Sequence, residues 1–161
     1  MKSFVRVIVA GMVLCAVPEF AQTEASTDTN MEILMEKLKA DKKLLVASNM
    51  DLTDAEAKSF WPLYEAYQKE LDKVNQQLGK TIKEYADAYN QGKGTISNDT
   101  AKKLLHEAIS VEEQEVKLKR ANAEKVGKVL PAAKTARYIQ IENKIRALIK
   151  FELARQIPLV Y

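Results

Sequence analysis

Two sets of side chains in this sequence have types and spacing suited to chemistry. The first is His106, the only histidine, set between Leu105 and Glu107 and followed by Glu112, Glu113 and Glu115. Acid/base catalysis by an imidazole needs a nucleophile or carboxylate placed within hydrogen-bonding reach, and neither a triad nor a metal motif accompanies His106. The carboxylates have the charge to attract a divalent cation, but asparagine and glycine at calcium-loop spacing are missing around them. A solvated helix face accounts for them. No glycine-rich phosphate loop, nucleophile elbow or zinc motif occurs. The expectation is a protein with no catalytic residue, no metal and no cofactor, and so not an enzyme.

The second set is aromatic. Phe60, Trp61, Tyr64, Tyr67, Tyr85 and Tyr89 are six of the eleven aromatic residues, interleaved with Lys69, Lys73, Lys80 and Lys83. The plainer reading is that they pack as core against the third helix. The functional reading is a partly exposed aromatic and basic surface that holds apolar segments of another protein, because apolar faces without enough chain to cover them mark binding surfaces. On that reading Phe60, Trp61, Tyr64 and Tyr67 contact the client, while Lys69 and Lys73 steer acidic clients.

Long helices must position both sets. Residues 22–30 are small and polar, a flexible leader. A first helix is expected from near Asn30, with Met31, Leu34, Leu38, Leu45 and Ala47 on one stripe, ending near Asn49. Leu52, Thr53, Asp54, Ala55 and Glu56 then make a start signal: Thr53 can accept from the amide three residues on, Glu56 can reach back, and Leu52 can pack on Ala57. Phe60, Tyr64, Tyr67, Leu71, Val74, Leu78, Ile82, Tyr85 and Tyr89 recur every three or four residues. A helix from Thr53 to Asn90 is roughly 57 Å long at about 1.5 Å per residue, with a bend expected near residues 58–62 because Pro62 removes one amide bond. Gly92 and Gly94 end it.

Ile96, Ser97 and the residues to Lys102 repeat the order of staple, hydroxyl cap and Ala-Lys. The third helix carries Ala101, Leu104, Leu105, Ala108, Val111, Leu118, Val126 and Val129, a stripe interrupted by Glu115 and Asn122, to Leu130. Pro131 breaks it and starts the last helix, whose apolar face is Tyr138, Ile141, Ile145, Leu148 and Ile149. Pro158 closes that helix, leaving Leu159, Val160 and Tyr161. The expected fold is all-α: four helices, the two longest paired as an antiparallel hairpin. A single hairpin cannot bury both faces of its helices, so either the first and last helices cover it or a second copy does; a homodimer is expected.

The first residues read as a targeting segment. Lys2 and Arg6 precede an apolar run, Val7 to Val17, too short to span a bilayer, followed by Pro18 and small residues, the layout of a secretory signal peptide. Residues 1–21 are assigned to it, with cleavage anywhere from residue 16 to 25 and Ala21 or Ala25 favoured, and residues 31–161 form a single helical domain. The only cysteine, Cys15, lies in this run behind Leu14, which is not the small residue a lipoprotein signal uses. The mature chain is then free of thiols, suited to an oxidising compartment and without stable membrane insertion. With 25 basic and 22 acidic residues the charge is +3, too mild to argue for nucleic acid.

Leu52-Thr53-Asp54-Ala55-Glu56 resembles the LTxxQ motif of the Spy and CpxP group of periplasmic proteins, with Glu in place of Gln. The group carries the motif twice, and the second place here is Val129 to Tyr138, which keeps Leu130, Pro131 and the basic and aromatic continuation but lacks the threonine and final glutamine. The resemblance covers roughly residues 45–150. It implies a four-helix, cradle-shaped homodimer that binds unfolded or partly folded envelope proteins without ATP, an envelope-stress chaperone or adaptor. The alternative is a regulatory helical protein that docks on the sensor domain of a membrane kinase.

Overall fold

The computed structural model describes residues 41–160, and all regular structure among them is helical. Residues 41–50 belong to a first helix, α1, followed by α2 (Asp54–Gln91), α3 (Asn98–Val126) and α4 (Ala132–Gln156). The expected signal segment and leader, the expected start near Asn30 and the apolar positions Met31, Leu34 and Leu38 lie outside the described residues. No helix among the described residues is long and apolar enough to cross a membrane.

The start of α2 is set by the predicted capping box. The Thr53 hydroxyl accepts from the Glu56 amide at 3.3 Å, and the Thr53 amide donates to the Glu56 carboxylate at 2.8 Å, satisfying two amides that have no partner within the helix. A contact from α4 tightens the same corner. The Lys134 ammonium donates at 2.6 Å both to Glu56 and to the carbonyl of Asp51, whose φ of 47° marks the turn out of α1. The Lys134 hydrogen bond, followed by the Thr53 amide, holds the Glu56 carboxyl below its ordinary range.

Through Pro62 the helix continues unbroken, although the proline cannot donate to the Lys58 carbonyl. Both residues are exposed, which leaves that carbonyl to water. Gly92 and Gly94 make the turn after α2. A Cβ at Gly92 would sit 1.9 Å from the Thr95 carbonyl oxygen, and Gly94 has a φ of 98°, so both need glycine. Ser97 then caps α3 by accepting from the Thr100 amide at 3.1 Å.

The third helix ends sooner than its apolar stripe suggests, at Val126 and not Leu130. The amides of Val129 and Leu130 both return to the Val126 carbonyl at 3.0 Å, a tight turn that drops Leu130 into the core at 5% exposure. Pro131 sits at the N-cap of α4, where its missing amide costs nothing.

A connected core lies toward the start of α2. Val46 and Met50 from α1, Phe60, Tyr64, Tyr67 and Leu71 from α2, Val126 and Leu130, and Tyr138 from α4 are all buried and in one cluster. The Phe60 ring meets Tyr138 edge-on at 5.0 Å and Trp61 at 5.1 Å, a geometry that aromatic quadrupoles favour. Farther along α2, its residues share the interior with Leu104 and Val111 of α3.

Glu115 and Asn122, which interrupt the apolar stripe in the sequence, are buried and partnered. Asn122 donates to the Tyr138 hydroxyl at 3.3 Å. Glu115 receives Arg146 through Nε at 3.0 Å and Nη2 at 2.7 Å, while Nη1 of the same guanidinium donates to Asn75 at 2.7 Å. A third buried polar residue, Glu142, receives Lys42 of α1 at 2.7 Å and Gln68 of α2 at 3.0 Å. Among the described residues no buried side-chain nitrogen or oxygen lacks a partner. The bonds hold particular weight for α4, because no Cα of α2 comes within 8 Å of a Cα of α4. Long side chains therefore bridge that gap.

Burial raises the Glu115 carboxyl, but the hydrogen bonds and charge of Arg146, with Lys150 and Lys119, outweigh it and leave the group below its ordinary 4.5. A carboxyl held low in the folded state contributes stability above its unfolded pKa and loses it as pH falls through the folded one. The urea midpoint should accordingly fall between about pH 6 and about pH 3, and less so in Glu115→Gln. At neutral pH, Arg146→Met strands a buried carboxylate and should cost about 3 kcal/mol, against under about 1 kcal/mol for the half-exposed Lys150→Met. Equal costs in urea denaturation would contradict the arrangement.

Candidate functional site

Where the second half of α2, the first half of α3 and the end of α4 come together, they enclose an apolar groove of about 480 Å³. Each helix contributes through its own period. Leu78, Ile82 and Tyr85 come from α2; Ala101, Leu104, Leu105, Ala108 and Val111 from α3; Leu153 and Ala154 from α4. Spacings of three and four put the α2 and α3 groups each on one face of its helix, and on α4 Leu153 follows Arg146 and Lys150 at the same spacing. The alanines at 101, 108 and 154 explain why the space is not filled: a methyl group stands where the neighbouring turns carry leucine.

One end of the groove, away from the Gly92 to Gly94 turn, is closed by charges: Glu115 with Arg146, and Lys150 at 3.5 Å from Glu112 and 3.6 Å from Glu115. These charges offset one another in pairs, leaving an apolar cleft with a polar stop. Its volume lies within the roughly 300 to 1,000 Å³ usual for ligand sites. Such a cleft can hold aliphatic or aromatic groups. It presents no nucleophile and base in contact, and the described residues contain no group of three or more His, Cys, Asp or Glu side chains placed to hold a metal.

The residues proposed from sequence as a client surface lie elsewhere and are mostly inaccessible. Phe60 is 0% exposed, Tyr64 3% and Tyr67 6%; they are core, and burial pushes the hydroxyls of Tyr64 and Tyr67 well above the ordinary tyrosine range. The open aromatic surface is corrected by this packing: α1 and Tyr138 of α4 cover the face that a client would need. Trp61 is half-buried, with the Lys43 ammonium 5.3 Å from its ring centre. Lys69 and Lys73 are exposed, Lys73 paired with Glu70 at 2.8 Å. Tyr85 alone among the six aromatics lines the groove. Of the motif positions, Leu52 packs on the core, Thr53 and Glu56 form the cap, Leu130 is buried and Pro131 opens α4.

His106 is exposed on α3. The neighbouring carboxylates are occupied by cations, Glu107 by Lys103 at 3.5 Å and Glu112 by Lys150, while Glu113 is exposed.

The groove was missed from sequence because its leucines and isoleucines were assigned to seam packing. The available signal was the run Ile149, Leu153, Ile157 and Val160, whose spacing of three and four continues past the expected helix end, opposite small residues on α3.

If Phe60 is core and not client surface, Phe60→Ala should cost about 3 to 5 kcal/mol in urea denaturation, while Leu105→Ala, in the groove and 60% exposed, should change stability by less than about 0.5 kcal/mol. A silent Phe60→Ala would return the aromatics to the surface reading.

No protein-family model, curated protein or solved structure matches the chain.

Proposed function

We propose that this protein is an ATP-independent chaperone or stress adaptor of the periplasm, or of another exported compartment, that holds unfolded or partly folded proteins by their apolar segments. The observation that carries the reading is the groove: an unfilled apolar cleft, open to solvent, between helices whose polar faces keep the remainder of the molecule hydrated. Apolar contact in a cleft closed by mutually paired charges favours many sequences weakly over one sequence tightly, as a holding function requires. The export-like first residues and the likeness of Leu52 to Glu56 to the LTxxQ motif supply the compartment and the class.

In the same proposal α2 and α3 form an antiparallel hairpin, since Glu84 near the end of α2 pairs with Lys103 near the start of α3 and Phe60 shares the core with Val126. The chain acts as a homodimer. Ile109 and Val116 on α3 and Leu148 and Phe151 on α4, all 47% exposed or more, are the apolar residues that a second copy would cover.

The test is aggregation of a chemically reduced or heat-unfolded client protein, followed by light scattering. The full chain should suppress it at near-stoichiometric amounts without nucleotide, and the double variant Leu105→Glu, Leu153→Glu should lose most of the effect while keeping its helical circular dichroism. No suppression by the parent chain defeats the proposal. For the dimer, static light scattering at micromolar concentration should return twice the chain mass; the mass of one chain removes that part.

A further inference from the structure

One wall of the groove is not a helix. After α4 ends at Gln156, residues 157–160 continue without helical structure, Ile157 in extended backbone at φ −89° and ψ 115°. Pro158 enforces this departure, since it has no amide to donate and disfavours helical backbone in the residue before it. The segment then turns onto α2. Ile157 and Val160 line the groove together with Leu78, Ile82 and Ile96, and the Tyr85 hydroxyl donates to the Pro158 carbonyl at 2.8 Å. Leu159 remains 73% exposed and Val160 55%, so residues 157–160 are only partly seated, through the Tyr85 hydrogen bond and the partial burial of two apolar side chains.

Resting on the reading of the groove as the client site, we infer that the groove takes extended apolar peptide segments and that residues 157–160, which wall one side of it and leave the rest open, are its partial resident occupant, displaced when a client binds. The occupant itself supplies the chemistry of the ligand. An Ile-Pro-Leu-Val stretch presents a backbone carbonyl to Tyr85 and the apolar side chains of Ile157 and Val160 to the cleft, and an unfolded polypeptide offers the same kinds of group. Because the segment is tethered by α4, its effective concentration at the groove is on the order of millimolar. A client therefore competes with it, and the apparent affinity for clients is lowered by the fraction of time the segment is seated. The Tyr85 hydroxyl would serve resident and client alike.

The experiment uses the full chain and a fluorescently labelled peptide corresponding to Arg155 to Val160, with binding read by fluorescence anisotropy. In the full-length double variant Ile157→Asp, Val160→Asp, the resident segment no longer seats, and the peptide should bind about tenfold tighter than to the parent. Adding Leu105→Glu and Leu153→Glu to that variant should abolish the gain. Equal affinity for parent and variant, or a gain that survives the blocked groove, overturns the inference. A second readout needs no variant: on adding an unfolded client to the parent chain, the methyl resonances of Ile157 and Val160 should shift, and resonances that stay fixed under saturating client also overturn it. The two proposals fail separately. Peptide binding as expected with no suppression of aggregation defeats the chaperone reading alone, whereas equal suppression by parent and variant together with equal peptide affinity defeats the resident segment alone.

Discussion

Arg146 has to satisfy two helices at once. Its Nη1 reaches Asn75 on α2 while Nε and Nη2 reach Glu115 on α3, and the guanidinium can do this because its donors point in fixed, divergent directions in one plane. The requirement sets where α4 lies. Set too close, the Arg146 side chain would have no room between the helices; set too far, a buried carboxylate would be left without its cation, which is costly in a low-dielectric interior. Gln68 with Glu142 repeats the same solution between α2 and α4, and Asn122 with Tyr138 ties α4 to α3, so α4 is held at side-chain length from α2 by polar groups that must all find partners.

That spacing divides the interior into two parts. Toward the start of α2, large rings bridge the separation: Phe60 and Tyr64 each meet Tyr138 edge-on, and α1 closes over them with Val46 and Met50. Toward the end of α2 the facing residues include Ala101, Ala108 and Ala154, too small to cross the same distance, and the groove is what remains. The boundary between the filled and unfilled parts falls near the Glu115 and Arg146 pair. A molecule built this way keeps its connected core at one end and the apolar cleft at the other, so the cleft can stay open without weakening the core that supports it. The segment after α4 lies along the open part and covers some of it.

Much of the local structure was legible in the sequence because it depends on residues close together in the chain. Thr53 and Glu56 form the cap that their spacing specifies, Gly92 and Gly94 make the turn, Ser97 caps the next helix, and Pro158 ends regular structure after α4. The helical character of the described residues and the extents of α2 and α4 follow from these signals and from apolar residues every third or fourth position. The stripe of α3 misled only at its end, where Val129 and Leu130 keep the helical spacing although the chain has already turned at Gly127.

Which residues of each stripe face a neighbour, and which face an empty space, depended on distances between helices that no local pattern encodes. Phe60, Tyr64 and Tyr67 have the same spacing as Leu78, Ile82 and Tyr85 and read as one seam, yet the first three are sealed by α1 and Tyr138 while the others line an open cleft. Glu115 and Asn122 read as flaws in a stripe until Arg146 and Tyr138, 31 and 16 residues away, arrive to pair with them. The sequence by itself determined helix starts, turns and an all-helical chain, because capping and periodicity act over a few residues; the tertiary structure alone decided core from groove, because burial is a property of what packs on a face and not of the face itself.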